Sequence, residues 1–149
     1  MGNSLSNPLM WMVLSLVTTA GAFVWSLNQG QRPRCPRWLL GLLLMPGVVV
    51  LASFYSLAYR MHACLGGWPD FNGIRRLPPE LHSHAELALS AFGWVFLVMF
   101  VMPVLYAVFS MVPRLRPGMI YPSLFGAAAW LSLLATQLAP GGFLEWWWD

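Results

Sequence analysis

The sequence predicts an all-α membrane protein, a small bundle of four transmembrane helices in a single domain over residues 1–149. Four long apolar stretches, at about residues 8–27, 38–58, 85–112 and 120–139, fill most of the chain, and Glu86 is the one charged residue within them. Crossing a hydrocarbon core of about 30 Å takes roughly 20 helical residues. Composition agrees: 58% of the residues are hydrophobic and 9% are charged, whereas about a quarter are charged in soluble domains.

The first stretch is expected to remain in the protein as a span, because residues 1–7 lack the basic side chains of a signal peptide. In the second stretch, Gly41 and Gly47 predict close helix packing, since small side chains let backbones approach each other in a membrane. Pro46 removes a backbone N–H and is expected to kink this helix.

The third and fourth stretches complete the bundle. Residues 85–112 would form a helix of about 42 Å, longer than the hydrocarbon core, which predicts a tilt or an extension beyond it. Pro103 predicts a kink there, and small residues 126–129 predict close packing of the fourth helix. The polar residues inside the stretches are mild, and we expect hydrogen bonds between helices from Thr18, Thr19, Ser132, Thr136 and Gln137.

The charged residues predict the orientation. The first and third connections hold five of the eight arginines and no acid: Arg32, Arg34, Arg37, Arg114 and Arg116. The acids fall in the second connection, at its junction with the third span, or in the C-terminal tail: Asp70, Glu80, Glu86, Glu145 and Asp149. The positive-inside rule therefore predicts connections one and three in the cytoplasm and both termini outside.

The C-terminal tail is rich in tryptophan. Indole rings favour the headgroup region of a bilayer, where an apolar face and one N–H donor are both satisfied. Trp146, Trp147 and Trp148 are therefore predicted to form an interfacial anchor on the outer side. A docking surface for a partner subunit is the alternative function of this cluster.

The second connection, a loop of about 25 residues on the predicted outer side, contains every histidine of the protein. Turn-forming glycines and a Trp-Pro pair indicate that it folds back onto the bundle. Pro78 or Pro79 suits the first turn of a helix leading into the third span. We expect a structural or binding role for Arg60, Gly66, Gly67, Trp68 and Pro69.

The three histidines suggest one hypothesis in which they bind a cofactor. Imidazoles of His62, His82 and His84, with a carboxylate from Glu86 or Glu80, are ligand types that zinc or iron uses. A pair of the histidines could instead hold a haem or contact a quinone. On a continuous helix, however, the His84 side chain would point about 200° away from that of His82. This difference in direction is an argument against one metal ion shared by both. The simpler interpretation is that they bond to loop carbonyls and neighbouring charges, and we expect no cofactor.

The sequence gives little support for hydrolase activity, nucleic-acid binding or a disulfide bond. The chain has no Gly-x-Ser-x-Gly and no His-Glu-x-x-His motif, which argues against a hydrolase. We therefore expect that the protein is not an enzyme. The net charge of +3 reflects topology rather than a nucleic-acid surface. Cys35 and Cys64 fall on opposite sides of the predicted topology and cannot pair, and Cys64 is expected to be a small buried residue.

The run from Arg60 to Pro69 resembles a pattern of small bacterial four-span membrane proteins, in which an Arg precedes Leu-Gly-x-Trp-Pro and a His-containing stretch precedes the third span. The matching residues are Arg60, Leu65, Gly66, Trp68 and Pro69, with His82 or His84 after them. The resemblance covers about a fifth of the chain. It implies a multi-pass protein of the bacterial inner (cytoplasmic) membrane and transfers no activity.

Together these observations predict an accessory, assembly or structural subunit of the bacterial inner membrane. Its partners would be the lipid bilayer and a membrane protein or a second copy of the chain, with no nucleic acid. The alternative is a redox protein that binds metal, haem or quinone through the histidines of the second connection, with Arg60 and Trp68 shaping the pocket.

Overall fold

The computed structural model describes residues 8–31, 36–69 and 78–148, and these parts of the chain are helical with no strand among them. Four helices are long and apolar enough to cross a membrane, which is compatible with an integral membrane protein and confirms the all-helical class. The α-helices are α1 (Pro8–Asn28), α2 (Arg37–Leu65), α3 (His82–Met111), α4 (Ile120–Thr136) and α5 (Gly141–Trp148).

The helices extend further at one end than the apolar stretches do. Helix α2 continues to Leu65 rather than ending at residue 58, and the turn Pro79–Leu81 leads directly into α3. The predicted loop of about 25 residues was therefore too long. Arg60 and His62 end the apolar stretch but not the helix, because backbone hydrogen bonds continue whatever the polarity of the side chains. Gly66, with φ of 70°, ends α2 in the left-handed conformation that glycine adopts most easily.

Helices α1 and α2 lie diagonally opposite each other, and each packs between α3 and α4. The last turns of α2 lie beside the first turn of α3, so these two helices are antiparallel. We call this the histidine end of the bundle, which also holds the end of α4 and the whole of α5. The opposite end, where α1 and α3 finish and α2 and α4 begin, is the arginine end.

Helices α2 and α4 pack closely at a glycine. A Cβ atom at Gly47 would lie 3.0 Å from the Ala128 carbonyl oxygen, so the predicted close packing there is confirmed. Gly41 instead faces open space, and the same prediction was wrong for it. Nearer the histidine end, the Tyr55 hydroxyl donates to the Ala135 carbonyl oxygen at 2.6 Å, which ties the same two helices together.

Three helices converge on Tyr106 of α3. Its hydroxyl lies 3.1 Å from Thr19 Oγ1 on α1 and 3.2 Å from the Pro122 carbonyl oxygen on α4. A side chain at Gly126 would collide with both the Tyr106 hydroxyl and Thr19, so α4 needs a glycine at this crossing.

The prediction of hydrogen bonds between helices is confirmed for Thr19 but wrong for three other hydroxyls. Thr18 donates to Leu14, Ser132 to Ala129 and Thr136 to Leu133, each onto a carbonyl of its own helix. Such bonds form because the carbonyl three or four residues earlier is the nearest acceptor to a helical hydroxyl. They satisfy these hydroxyls, of which Ser132 and Thr136 are buried, without holding two helices together.

Candidate functional site at the histidine end

The histidine end brings together the last turns of α2, the start of α3, the segment 66–69 and helix α5. Gly66 stops α2 and Pro79 opens the turn before α3, so these two residues set the helix ends of this region. All three histidines lie in this region, as do the residues predicted to have a structural or binding role.

His84 is the most constrained of the three histidines. The Arg60 guanidinium lies 3.3 Å from His84 Nδ1, and Ser56 Oγ lies 2.8 Å from His84 Nε2. A guanidinium can only donate, so Nδ1 must accept and the neutral ring must carry its proton on Nε2. The Nε2–H then donates to Ser56 Oγ, and the Ser56 hydroxyl donates to the Ser53 carbonyl oxygen at 3.1 Å.

This network fixes α3 to α2 with no donor or acceptor of the imidazole left over. A metal at either nitrogen would have to displace Arg60 or Ser56. The arrangement is therefore suited to joining two helices.

The other two histidines make separate contacts. His82 Nδ1 donates to the Pro79 carbonyl oxygen at 3.2 Å, which joins the first residue of α3 to the turn Pro79–Leu81. The His62 ring packs against the Trp68 ring with the ring centroids 4.5 Å apart and the planes inclined at 54°. The three imidazoles are thus held by three different groups of neighbours.

The cofactor hypothesis for His62, His82, His84 and Glu86 stays a prediction. Within residues 8–31, 36–69 and 78–148, no group of three or more His, Cys, Asp or Glu side chains is arranged to hold one metal ion. Glu86 is exposed on α3. Glu80, in the turn before α3, is exposed as well, and Asp70, the third acid of this region, lies outside the described residues.

Helix α5 turns back and inserts its aromatic side chains into the bundle. Phe143 is 0% exposed, and its ring centroid lies 5.1 Å from that of Phe54 on α2. The Trp147 ring lies 5.2 Å from Phe54 and 5.1 Å from Phe92 of α3, so one indole joins both helices. This cluster is the packed core of the histidine end.

The tryptophans of the tail therefore also contact the core of the bundle, which the prediction of an interfacial anchor did not anticipate. Trp146 and Trp147 are partly buried against the core, whereas Trp148 is 54% exposed. The interfacial role of the three residues stays a prediction. Only Trp148 presents most of its ring to the surroundings.

The segment that follows α2 packs onto α5. Pro69 is buried, and a Cβ atom at Gly142 would lie 2.7 Å from the Pro69 carbonyl oxygen. This contact places Trp68 and Pro69 between α2 and the C-terminal helix. Cys64 is exposed and has a free thiol, so the expectation that it is buried was wrong. In the same part of α2, it is Met61 and Leu65 that pack into the core.

Several residues that build this end were not predicted from the sequence. Ser56 stands four residues before Arg60 on one face of α2, a spacing that could have indicated a shared partner. Phe54 and Phe92 lie inside apolar stretches and carry no signal that separates them from lipid-facing residues. Only the fold reveals that Phe54 contacts Phe143 and that Phe54 and Phe92 both contact Trp147.

Comparison of this chain with protein families, with curated proteins and with solved structures gives no match. Its function must therefore be inferred from its own residues.

Proposed function

We propose that this chain is an accessory, assembly or structural subunit of the bacterial inner membrane that binds a transmembrane helix of a partner at the face between α2 and α3. The partner helix belongs to another membrane protein or to a second copy of the chain. The observation that supports this proposal is the position of Trp94.

Trp94 is 66% exposed although it lies in the middle of a candidate span. The span covers the 33 residues Pro79–Met111, and Trp94 is the sixteenth of them. Its indole N–H forms no hydrogen bond with another described residue. An N–H donor without a hydrogen bond costs several kcal/mol in hydrocarbon, because the bilayer core contains no water and lipid chains cannot accept a hydrogen bond. A partner helix with a carbonyl or hydroxyl at this depth would remove that cost.

A groove beside Trp94 could receive such a helix. It encloses about 460 Å³ between α2 and α3, with Phe125 of α4 also in its lining. Met45, Pro46 and Val49 form one wall, and Ala91 with Val95 forms part of the other. The small Ala91 side chain would let a partner backbone approach closely, which is how helices associate in a bilayer.

The histidine end supports a structural role rather than catalysis. His84 and His82 are hydrogen-bonded within the chain, and the His62 ring packs against the Trp68 ring. These contacts join helix ends and close turns. We place the arginine end in the cytoplasm, since its connections contain arginines and no acid.

The test compares two tryptophans with nearly the same exposure at different depths. Trp38 is 65% exposed at the arginine end of α2, where water can accept its N–H, so it is the matched control for Trp94. Trp94→Phe keeps an aromatic ring but removes the donor. We expect co-purification of the partner in mild detergent to fall by about tenfold for Trp94→Phe and to stay unchanged for Trp38→Phe. Equal behaviour of the two variants, or a wild-type protein that purifies as a clean monomer, would refute the proposal.

A further inference from the structure

A second groove lies between α1 and α3 and runs from the arginine end towards the middle of the bundle. It encloses about 640 Å³, within the range of ligand sites in proteins. Tyr106 and Met119 are buried in its floor, and Gly21 opens its wall on α1. It shares no lining residue with the groove beside Trp94.

The two ends of this groove differ in polarity. Its deep part, near Thr18 and Pro103, offers no free hydroxyl, because Thr18 Oγ1 donates to the Leu14 carbonyl oxygen at 2.7 Å. At the arginine end the groove is lined by Trp25 and Arg116, both exposed. A ligand that fits must therefore have an apolar tail and a head that accepts hydrogen bonds.

Arg116 is held in place at the mouth of the groove. Its Nε–H donates to the Ser110 carbonyl oxygen at 2.8 Å, and its own carbonyl oxygen accepts from Gln31 Nε2 at 2.9 Å. A guanidinium has four further N–H donors, which suit two oxygens of a phosphate. The sequence around it, residues 112–119 and 29–36, contains no acid that would compete for this charge.

We propose that this groove binds an anionic glycerophospholipid, with one acyl chain between α1 and α3 and the phosphate on Arg116. The order of the groups matches the bilayer, because the guanidinium lies at the end of the spans and the apolar part lies deeper. Trp25, three residues before the end of α1, adds an indole at headgroup depth.

The test uses two glycines that both face open space. A Cβ atom at Gly21 or at Gly41 would meet nothing within 4 Å, but only Gly21 lines the groove. Gly21→Leu should fill the groove and abolish retention of phosphatidylglycerol, measured by native mass spectrometry of the purified protein. Gly41→Leu should retain the lipid as the wild type does. Leucine is also the better helix former, so neither helix should be weakened.

A second pair of variants tests the charge. Arg116→Gln should lower phosphatidylglycerol retention by about tenfold, the loss expected for one charge-assisted contact, while Arg114→Gln outside the groove should not. Phosphatidylcholine and soluble glycerol phosphate should each fail to replace phosphatidylglycerol. Equal retention of the neutral lipid, full competition by glycerol phosphate, or equal loss in both glycine variants would overturn the proposal.

Discussion

The chemistry of single residues is clearest at His84, where the donors and acceptors can all be assigned. Because the Arg60 guanidinium can only donate, His84 Nδ1 accepts its hydrogen bond, and the Nε2–H of His84 donates to Ser56 Oγ. His82 has the opposite arrangement, because its Nδ1 must donate to the Pro79 carbonyl oxygen. Two histidines two residues apart therefore need opposite tautomers when both are neutral.

This contrast is a testable prediction. In ¹⁵N NMR spectra of histidine-labelled protein, neutral His84 should carry its proton on Nε2 and neutral His82 on Nδ1. Ser56→Ala removes the acceptor of the Nε2–H and should cost about 1 kcal/mol of stability. The same tautomer at both positions would contradict the network. So would metal bound stoichiometrically to the wild type and lost when the three histidines become alanine, a result that would favour the cofactor hypothesis.

The sequence indicated the kind of neighbour that two histidines have, a backbone carbonyl for His82 and a charged group for His84, but not which residues supply them. His62, His82 and His84 were recognisable as a group because they share one connection, and this suggested a common ligand. Their actual partners are a ring, a backbone carbonyl and a Ser–Arg pair. Each partner depends on where a helix ends, and side-chain polarity alone does not determine that point.

Among the secondary-structure elements, α5 is the one that the sequence did not predict. Its eight residues are too few for a span, and its tryptophans suggested only a membrane surface. Burial of Phe143 between Phe54 and the neighbouring indoles makes it part of the bundle instead. The four long helices were predictable because apolar length is a strong signal. A short helix packed by aromatic contacts has no comparable signal.

Two adjacent glycines test the packing of α5. Gly142→Ala would press a methyl group against the Pro69 carbonyl oxygen and should destabilise the packed helix by about 1–3 kcal/mol, the cost of overpacking. Gly141→Ala meets nothing within 4 Å and should be neutral or slightly stabilising. Proteolysis of the tail and the wavelength of tryptophan emission would report the difference. Equal behaviour of the two variants would show that α5 does not pack against residues 66–69.

At the scale of the whole molecule, the distribution of arginines predicts how the bundle sits in the membrane. A reporter fused after Asp149 should be active in the periplasm, and one fused after Arg114 should be active in the cytoplasm. The physical reason is the cost of moving the arginines of short connections across the bilayer. Cytoplasmic fluorescence from the fusion after Asp149 would reverse the proposed orientation.

The central claim is that the protein works as a subunit bound to another membrane helix. The most direct measurement is the mass of the complex extracted from native membranes into lipid nanodiscs without detergent. We expect a stoichiometric assembly containing a second membrane protein or a second copy of this chain, and we expect Trp94→Phe to release it. A disc that holds one copy of the chain and no other protein would contradict the claim.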